Sequence, residues 1–332
     1  MAARQSVITP PPEAFAPDEP EWLWESLRYR FWRPDDFVHG FRHVNGLGAE
    51  QREALAGWWS LVAVAEGLGP RMYAAAFVRA TEQHESDRVR LSLMAMLHDE
   101  LQHEQLFGLA IGELEASWPP QAETAIVRQA GGHLDGAAQE AERCWHEYRR
   151  ALDQYGIGVV GGALLLRALA IGKVYERWAC DCAVPMFATA FRHASHDAER
   201  HQAALRALAI TDWPKLSTAQ RAEAVTQVQA TAKLLCAVML DPVAVQGDLA
   251  AGPNGQTAVG VPTAEQRQEM LRDALLEVKD LQARYHIPFP AMPRLAILGN
   301  RGDVAGGRGA GRTHGPPVRR SSLRTPATTT AW

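Results

Sequence analysis

Apolar and polar positions follow a helical rather than a strand period along most of this chain. From about residue 49 to 103 apolar residues return every third or fourth position, through Leu55, Trp58, Trp59, Val62 and Val64, which predicts helix with one buried face. Further helices are predicted over 121–153, 158–180, 186–209, 218–243 and 263–285, separated by pieces rich in Gly, Pro or Asp. No convincing run of strands is present, so the expected fold class is all-α, a helical bundle. Gly67-Leu68-Gly69-Pro70 interrupts the first run. Pro70 suits either the first position of a new helix or a kink that frees the carbonyl of Glu66, and both predict an irregular backbone beside Glu66.

The ends of the chain lack this periodicity. Residues 1–20 hold several prolines and are expected to form an extended arm; order is expected to begin near Trp22, giving a folded region over 21–290. After Asn300 the composition turns to Arg, Gly, Pro, Ser and Thr, so residues 301–332 are expected to be a disordered basic tail.

Composition narrows the function classes. A chain of 332 residues with 47% hydrophobic side chains can bury a sizeable core. A net charge of −4 gives no global reason to expect nucleic acid or an anionic membrane as partner. Cys144, Cys180, Cys182 and Cys236 show neither a Cys-x-x-Cys pair nor zinc-type spacing, which suggests a reduced, cytoplasmic protein. The first residues have no apolar stretch after basic ones, and nowhere do 18 uninterrupted apolar residues occur, so neither secretion nor membrane spanning is expected.

The stretch richest in chemistry is His98-Asp99-Glu100-Leu101-Gln102-His103-Glu104. Glu100 and His103, three apart on a helix, project from one face and suit one metal ion, although an ordinary charged helix face also has this pattern. Di-iron carboxylate bundles use such a Glu-x-x-His unit on two helices, with a further Glu from each of two others. Glu66 is the candidate lone Glu, because a turn near the polar stretch around Gln83 would bring it level with Glu100. Read at a helix end before the Gly-Leu-Gly-Pro break, Glu66 would instead be solvated. The second unit is His196-Asp197-Ala198-Glu199-Arg200-His201. His201 can serve as a ligand, but Ala198 stands where a Glu is required. Asp197 shares the face of His201, whereas Glu199 would need a local helix irregularity to reach it. Reflection about position 183 places Leu165, Leu166, Arg167 and Ala168 opposite this unit, with no carboxylate among them. Arg167 could there hold a positive charge where a metal would otherwise sit. Glu176 reads as a solvated or ion-paired residue, and the tryptophans as core and interface fillers.

The segment 61–107 with its MLHDELQHEQLF ending, followed by ALLLRALAIGKVYERWACDC and SHDAERHQAAL, resembles the iron-binding core of the hydroxylase subunits of bacterial multicomponent phenol, toluene, alkene and methane monooxygenases. The likeness covers roughly residues 50–210. It implies a ferritin-like bundle with additional flanking helices, and carries over Glu66, Glu100, His103 and His201 as iron ligands, with Asp197 and Glu199 as candidates. Leu164 or a neighbour stands where the lone Glu of the third helix would be. The implied activity is O₂-dependent hydroxylation of a small organic substrate at iron, with an electron-donating reductase and partner hydroxylase subunits in a homo- or hetero-oligomer. The smaller subunits of such complexes lack metal, so a metal-free scaffold or accessory subunit is the competing expectation. Iron storage or simple ferroxidase activity fits less well, because the chain is much longer than one four-helix bundle requires.

Overall fold

In the computed structural model, the described residues are 32, 34, 49–116, 123–181, 185–240 and 262–285, all within the unit Met1–Pro293. They form seven α-helices and no strand: α1 (Ala49–Glu82), α2 (Asp87–Ala116), α3 (Glu123–Tyr155), α4 (Ile157–Asp181), α5 (Pro185–Asp212), α6 (Thr218–Met239) and α7 (Ala264–Tyr285). A single 3₁₀ turn, Trp213–Lys215, joins α5 to α6. The all-α expectation therefore holds. The expected arm at 1–20 and tail at 301–332 lie outside the described residues.

Two helical hairpins frame the interior. α1 and α2 pair through a turn at 83–86, where His84 takes a left-handed φ of 54° and the amide of Glu85 donates to the carbonyl of Ala80 at 2.9 Å. α4 and α5 form the most extensive pairing in the bundle, and α2 lies against α5 to connect the hairpins. α3 and α6 pack on α1 and on each other, while α7 lies against α4 and α6. Gly156, at φ 88°, turns the chain between α3 and α4, a backbone conformation that suits a residue without Cβ.

α4 is the central helix. It is apolar almost all round, with Val160, Leu164, Leu165, Leu166, Leu169, Tyr175 and Trp178 buried, as expected for a helix with neighbours on every side. By length and composition α4 and α1 are each apolar enough to cross a membrane, and 89% of the most apolar window of α4 is buried inside the protein.

Helix ends follow local chemistry. Ser217 caps α6 by accepting from the amide of Gln220 at 3.3 Å, and Gln220 returns the bond to the amide of Ser217 at 2.9 Å. Thr263 and Gln266 make the same reciprocal pair at the start of α7. The helix expected over 218–243 ends at Met239, whose carbonyl accepts from buried Arg267 of α7 at 2.9 Å.

One alternative falls and one expectation needs correction. Of the two readings of Pro70, the start of a new helix is excluded, because α1 runs through the Gly67–Pro70 stretch with Pro70 inside it. The second hairpin reflects about position 185, not 183. A Cβ on Gly172 would meet the Cβ of Ala198 at 3.1 Å, and Gln202 donates to the carbonyl of Ala168 at 3.2 Å. The level partners of Ala198 and His201 are therefore near 172 and 169, one helical turn from the expected positions, and Leu164 does not face Ala198.

Candidate metal centre and its internal cations

Glu66 on α1 and Glu100 and His103 on α2 converge in the interior, each nearly or wholly inaccessible to solvent. Each offers a ligand atom, and the three atoms lie within 4.8 Å of one another. Two carboxylates and an imidazole at this spacing are a donor set suited to a metal ion. Glu66 thus meets the Glu100–His103 unit as expected, although the turn at 83–86 is centred later than position 83; His103 Nδ1 lies 3.9 Å from Glu66 Oε2.

A guanidinium already stands against these donors. Arg167 reaches in from α4, donating from Nη1 to Glu100 Oε1 at 2.9 Å and from Nη2 to Glu100 Oε2 at 2.7 Å. The same Nη2 lies 3.2 Å from Glu66 Oε2. Arg167 Nε and Nη2 also donate to the carbonyl of Ala65, at 3.2 and 3.1 Å. This carbonyl lies beside the one that Pro70 deprives of its helical partner, so the proline-containing turn and the arginine meet at one place. Gly69 makes room for the pair. A Cβ there would overlap both Glu100 Oε2 and the Arg167 guanidinium.

The second unit closes the arrangement. His201 Nε2 lies 3.1 Å from Asp99 and its Nδ1 3.3 Å from Glu100, while His103 Nε2 lies 3.3 Å from Asp197 and its Nδ1 faces Glu66. Arg200 binds both aspartates, Asp197 and Asp99. Each helix carries Asp-x-x-x-His, and the aspartate of one serves the histidine of the other. Four carboxyl groups thus face two guanidiniums and two imidazoles. The set is electrically balanced when the acids are ionised and both imidazoles are protonated.

Burial and pairing pull against each other at every group. Burial alone would raise the Glu100 carboxyl, but Arg167 and the two imidazoles outweigh it and hold Glu100 well below the usual carboxylate range. Burial would likewise raise Asp99, yet hydrogen bonds from His201 and His98 keep it low. Burial disfavours charge on His201, but Asp99 and Glu100 raise its pKa to about 9. His103 is also raised, the effect of burial being outweighed by Asp197, Glu100 and Glu66. At Glu66 burial prevails over Arg167, and its carboxyl is pushed up.

Aromatic rings line the cluster. Tyr175 stands edge-on to His103 at 5.2 Å and Tyr73 lies 5.7 Å from His201. Trp32 donates from Nε1 to Asp197 at 2.7 Å and stacks at 6.0 Å on both His103 and His193.

Glu66, Glu100 and His103 are thus brought together as expected, and His201 and Asp197 border the same cluster. Glu199 is not part of it. On the regular helix α5 its side chain is 66% exposed and pairs with His196, so the irregularity that would have swung it inward does not occur. Glu176 is exposed beside Lys173, as read from sequence. Sequence reasoning gave no role to Asp99, Arg200 or Trp32. The repeated Asp-x-x-x-His spacing was the available signal for Asp99, whereas nothing local pointed to Trp32.

Among the described residues the donor set does not fit a di-iron centre. The helix opposite Ala198 and His201 offers Leu169 and Gly172, not a carboxylate, and Asp197 and His201 are committed to Arg200, His103 and Asp99. Comparison of the chain with protein-family models and with curated proteins finds no match.

Proposed function

We propose that this protein is a metal-independent helical subunit built on a ferritin-like bundle, acting by association with hydroxylase-type partner subunits in the cytoplasm. The observation that carries this reading is the seat of Arg167, doubly bonded to Glu100 and in contact with Glu66. A bidentate Arg–carboxylate pair in a dry interior is strong and directional. For a metal ion to bind, this guanidinium must leave two carboxylates, so metal binding competes with an existing pairing. Protein from iron-supplemented cells, further incubated with ferrous iron without oxygen, is expected to carry no stoichiometric iron, and a chelator should leave its melting temperature unchanged. One or two irons per chain, with stability lost on chelation, would overturn the proposal.

A second reading has its own support: the three ligand atoms of Glu66, Glu100 and His103, and a Glu66 Oε1 that accepts no hydrogen bond of normal geometry. Iron held there would supply O₂-dependent oxidation of a small organic substrate. Glu66, Glu100 and His103 would hold the ion while the buried rings of Tyr73, Tyr175 and Phe107 keep water away. In that state Arg167 must withdraw. Stoichiometric iron together with substrate-dependent oxygen uptake would establish this reading.

A further inference from the structure

Among the described residues of the ion cluster, only Trp32 is carried by no helix; it stands 165 residues before Asp197 in the chain. Its Nε1 donates to Asp197 Oδ2 at 2.7 Å, and its ring lies nearly parallel to those of His103 and His193, at 25° and 17°. Everything that meets the indole is fixed by other partners. The same Asp197 Oδ2 lies 3.3 Å from His103 Nε2, and Arg200 holds Oδ1. His103 is set in turn by Glu66 at its Nδ1 and by the edge-on ring of Tyr175. Flat rings with one directional acceptor are the means by which protein sites read a planar ligand.

Trp58 and Trp178 are held differently. Both are wholly buried on α1 and α4, and their Nε1 groups donate to no described residue, so apolar packing alone keeps them in place. Trp32 keeps 6% exposure and His193 is partly exposed, which puts this contact at the skin of the bundle. When the indole leaves, water replaces its N–H on Asp197 and no ion pair of the cluster is broken, so departure costs less than unfolding. We propose that Asp197, His103 and His193 form a recognition slot for a planar aromatic group bearing an N–H donor, and that Trp32 is its built-in, detachable occupant. The slot and the Glu66–Glu100–His103 donors share His103 but meet it on different edges, Asp197 at Nε2 and Glu66 at Nδ1.

Two measurements test the proposal. In the wild type, hydrogen exchange of the indole N–H groups followed by NMR should be at least tenfold faster for Trp32 than for Trp58 and Trp178, and insensitive to low denaturant, because a local opening exposes little surface. Trp32→Gly should bind free indole, and bind benzofuran, which has the same shape with oxygen in place of the N–H, about tenfold or more weakly, the worth of a hydrogen bond to a carboxylate. The wild type should bind indole at least tenfold more weakly than Trp32→Gly, since the tethered side chain competes at high local concentration. If Trp32→Gly loses helicity, its recovery with indole and not with benzofuran supports the slot equally. Exchange at Trp32 only through global unfolding, at the rate of Trp58, would overturn the proposal. So would indole binding that benzofuran or the wild type matches, or a Trp32→Gly variant indifferent to indole.

Discussion

Arg167 and Gly69 are complementary: one supplies a buried guanidinium and the other leaves the space it needs. Removing the charge without its partners exposes the usual asymmetry of a buried ion pair, since the loss of one member strands the other. Arg167→Met should destabilise the protein by about 3–5 kcal/mol in chemical denaturation, and adding Glu100→Met should recover much of that loss. A double variant no more stable than Arg167→Met would show that the pair is not the coupled unit described here. The histidines make a second prediction at this scale. A group whose pKa is raised on folding stabilises the folded state fully below its unfolded value, near 6.5 for imidazole, and loses that contribution as pH rises through the folded value. His201, at about 9, should therefore give a protein whose melting temperature declines between roughly pH 6.5 and 9. His103, raised in the same direction, adds to the decline. Asp99 and Glu100, held low, keep their contributions until strongly acid pH, whereas protonation of Glu66 on acidification relieves part of its burial cost. Replacing His201 by Gln should flatten the alkaline limb; an unaltered limb would place its origin elsewhere.

At the scale of elements, the helices begin where side chains can satisfy free amides. Ser217 and Gln220 exchange bonds at the start of α6, so Ser217→Ala should cost about 1 kcal/mol. Thermal melts of Ser217→Ala and of Ser217→Asp, which keeps an acceptor, separate the cap from any other role: only the alanine should lower stability. α1 shows the limit of such local reasoning. A Gly-Leu-Gly-Pro sequence commonly ends a helix, yet α1 continues because Leu68 and Met72 are buried on either side of Pro70 and Arg167 supplies donors to the adjacent carbonyl of Ala65. Burial against α2 and α3 compensates for a weak local preference.

Across the whole molecule, the ion-paired cluster joins α1, α2, α4 and α5 through side chains that no helix could keep buried alone. This gives the bundle a polar interior that is sensitive to pH and to single substitutions. The segment 301–332 has the opposite character, with composition too poor in apolar groups to add to a core. Its deletion should leave the melting temperature and the denaturant midpoint unchanged; a clear loss of either would show that the segment stabilises the fold.

Helical period and breaker residues determined by themselves the all-α class, most helix positions and the pairing of Glu66 with the Glu100–His103 unit, because each depends on spacing within one helix or across one short turn. The exclusion of Glu199 was also implicit in regular helical geometry. The tertiary structure decided the rest. Whether the second hairpin reflects about 183 or 185 depends on how closely Gly172 lets α4 approach α5, a contact between residues 26 apart that no local pattern encodes. Whether Glu66 and Glu100 face a metal or an arginine depends on the reach of a side chain from α4, some 67 residues beyond Glu100, into space left by Gly69. Charge can be counted along a sequence, but which charges neutralise one another is a question of distance in a dry interior, where a few ångströms separate a strong pair from an uncompensated ion.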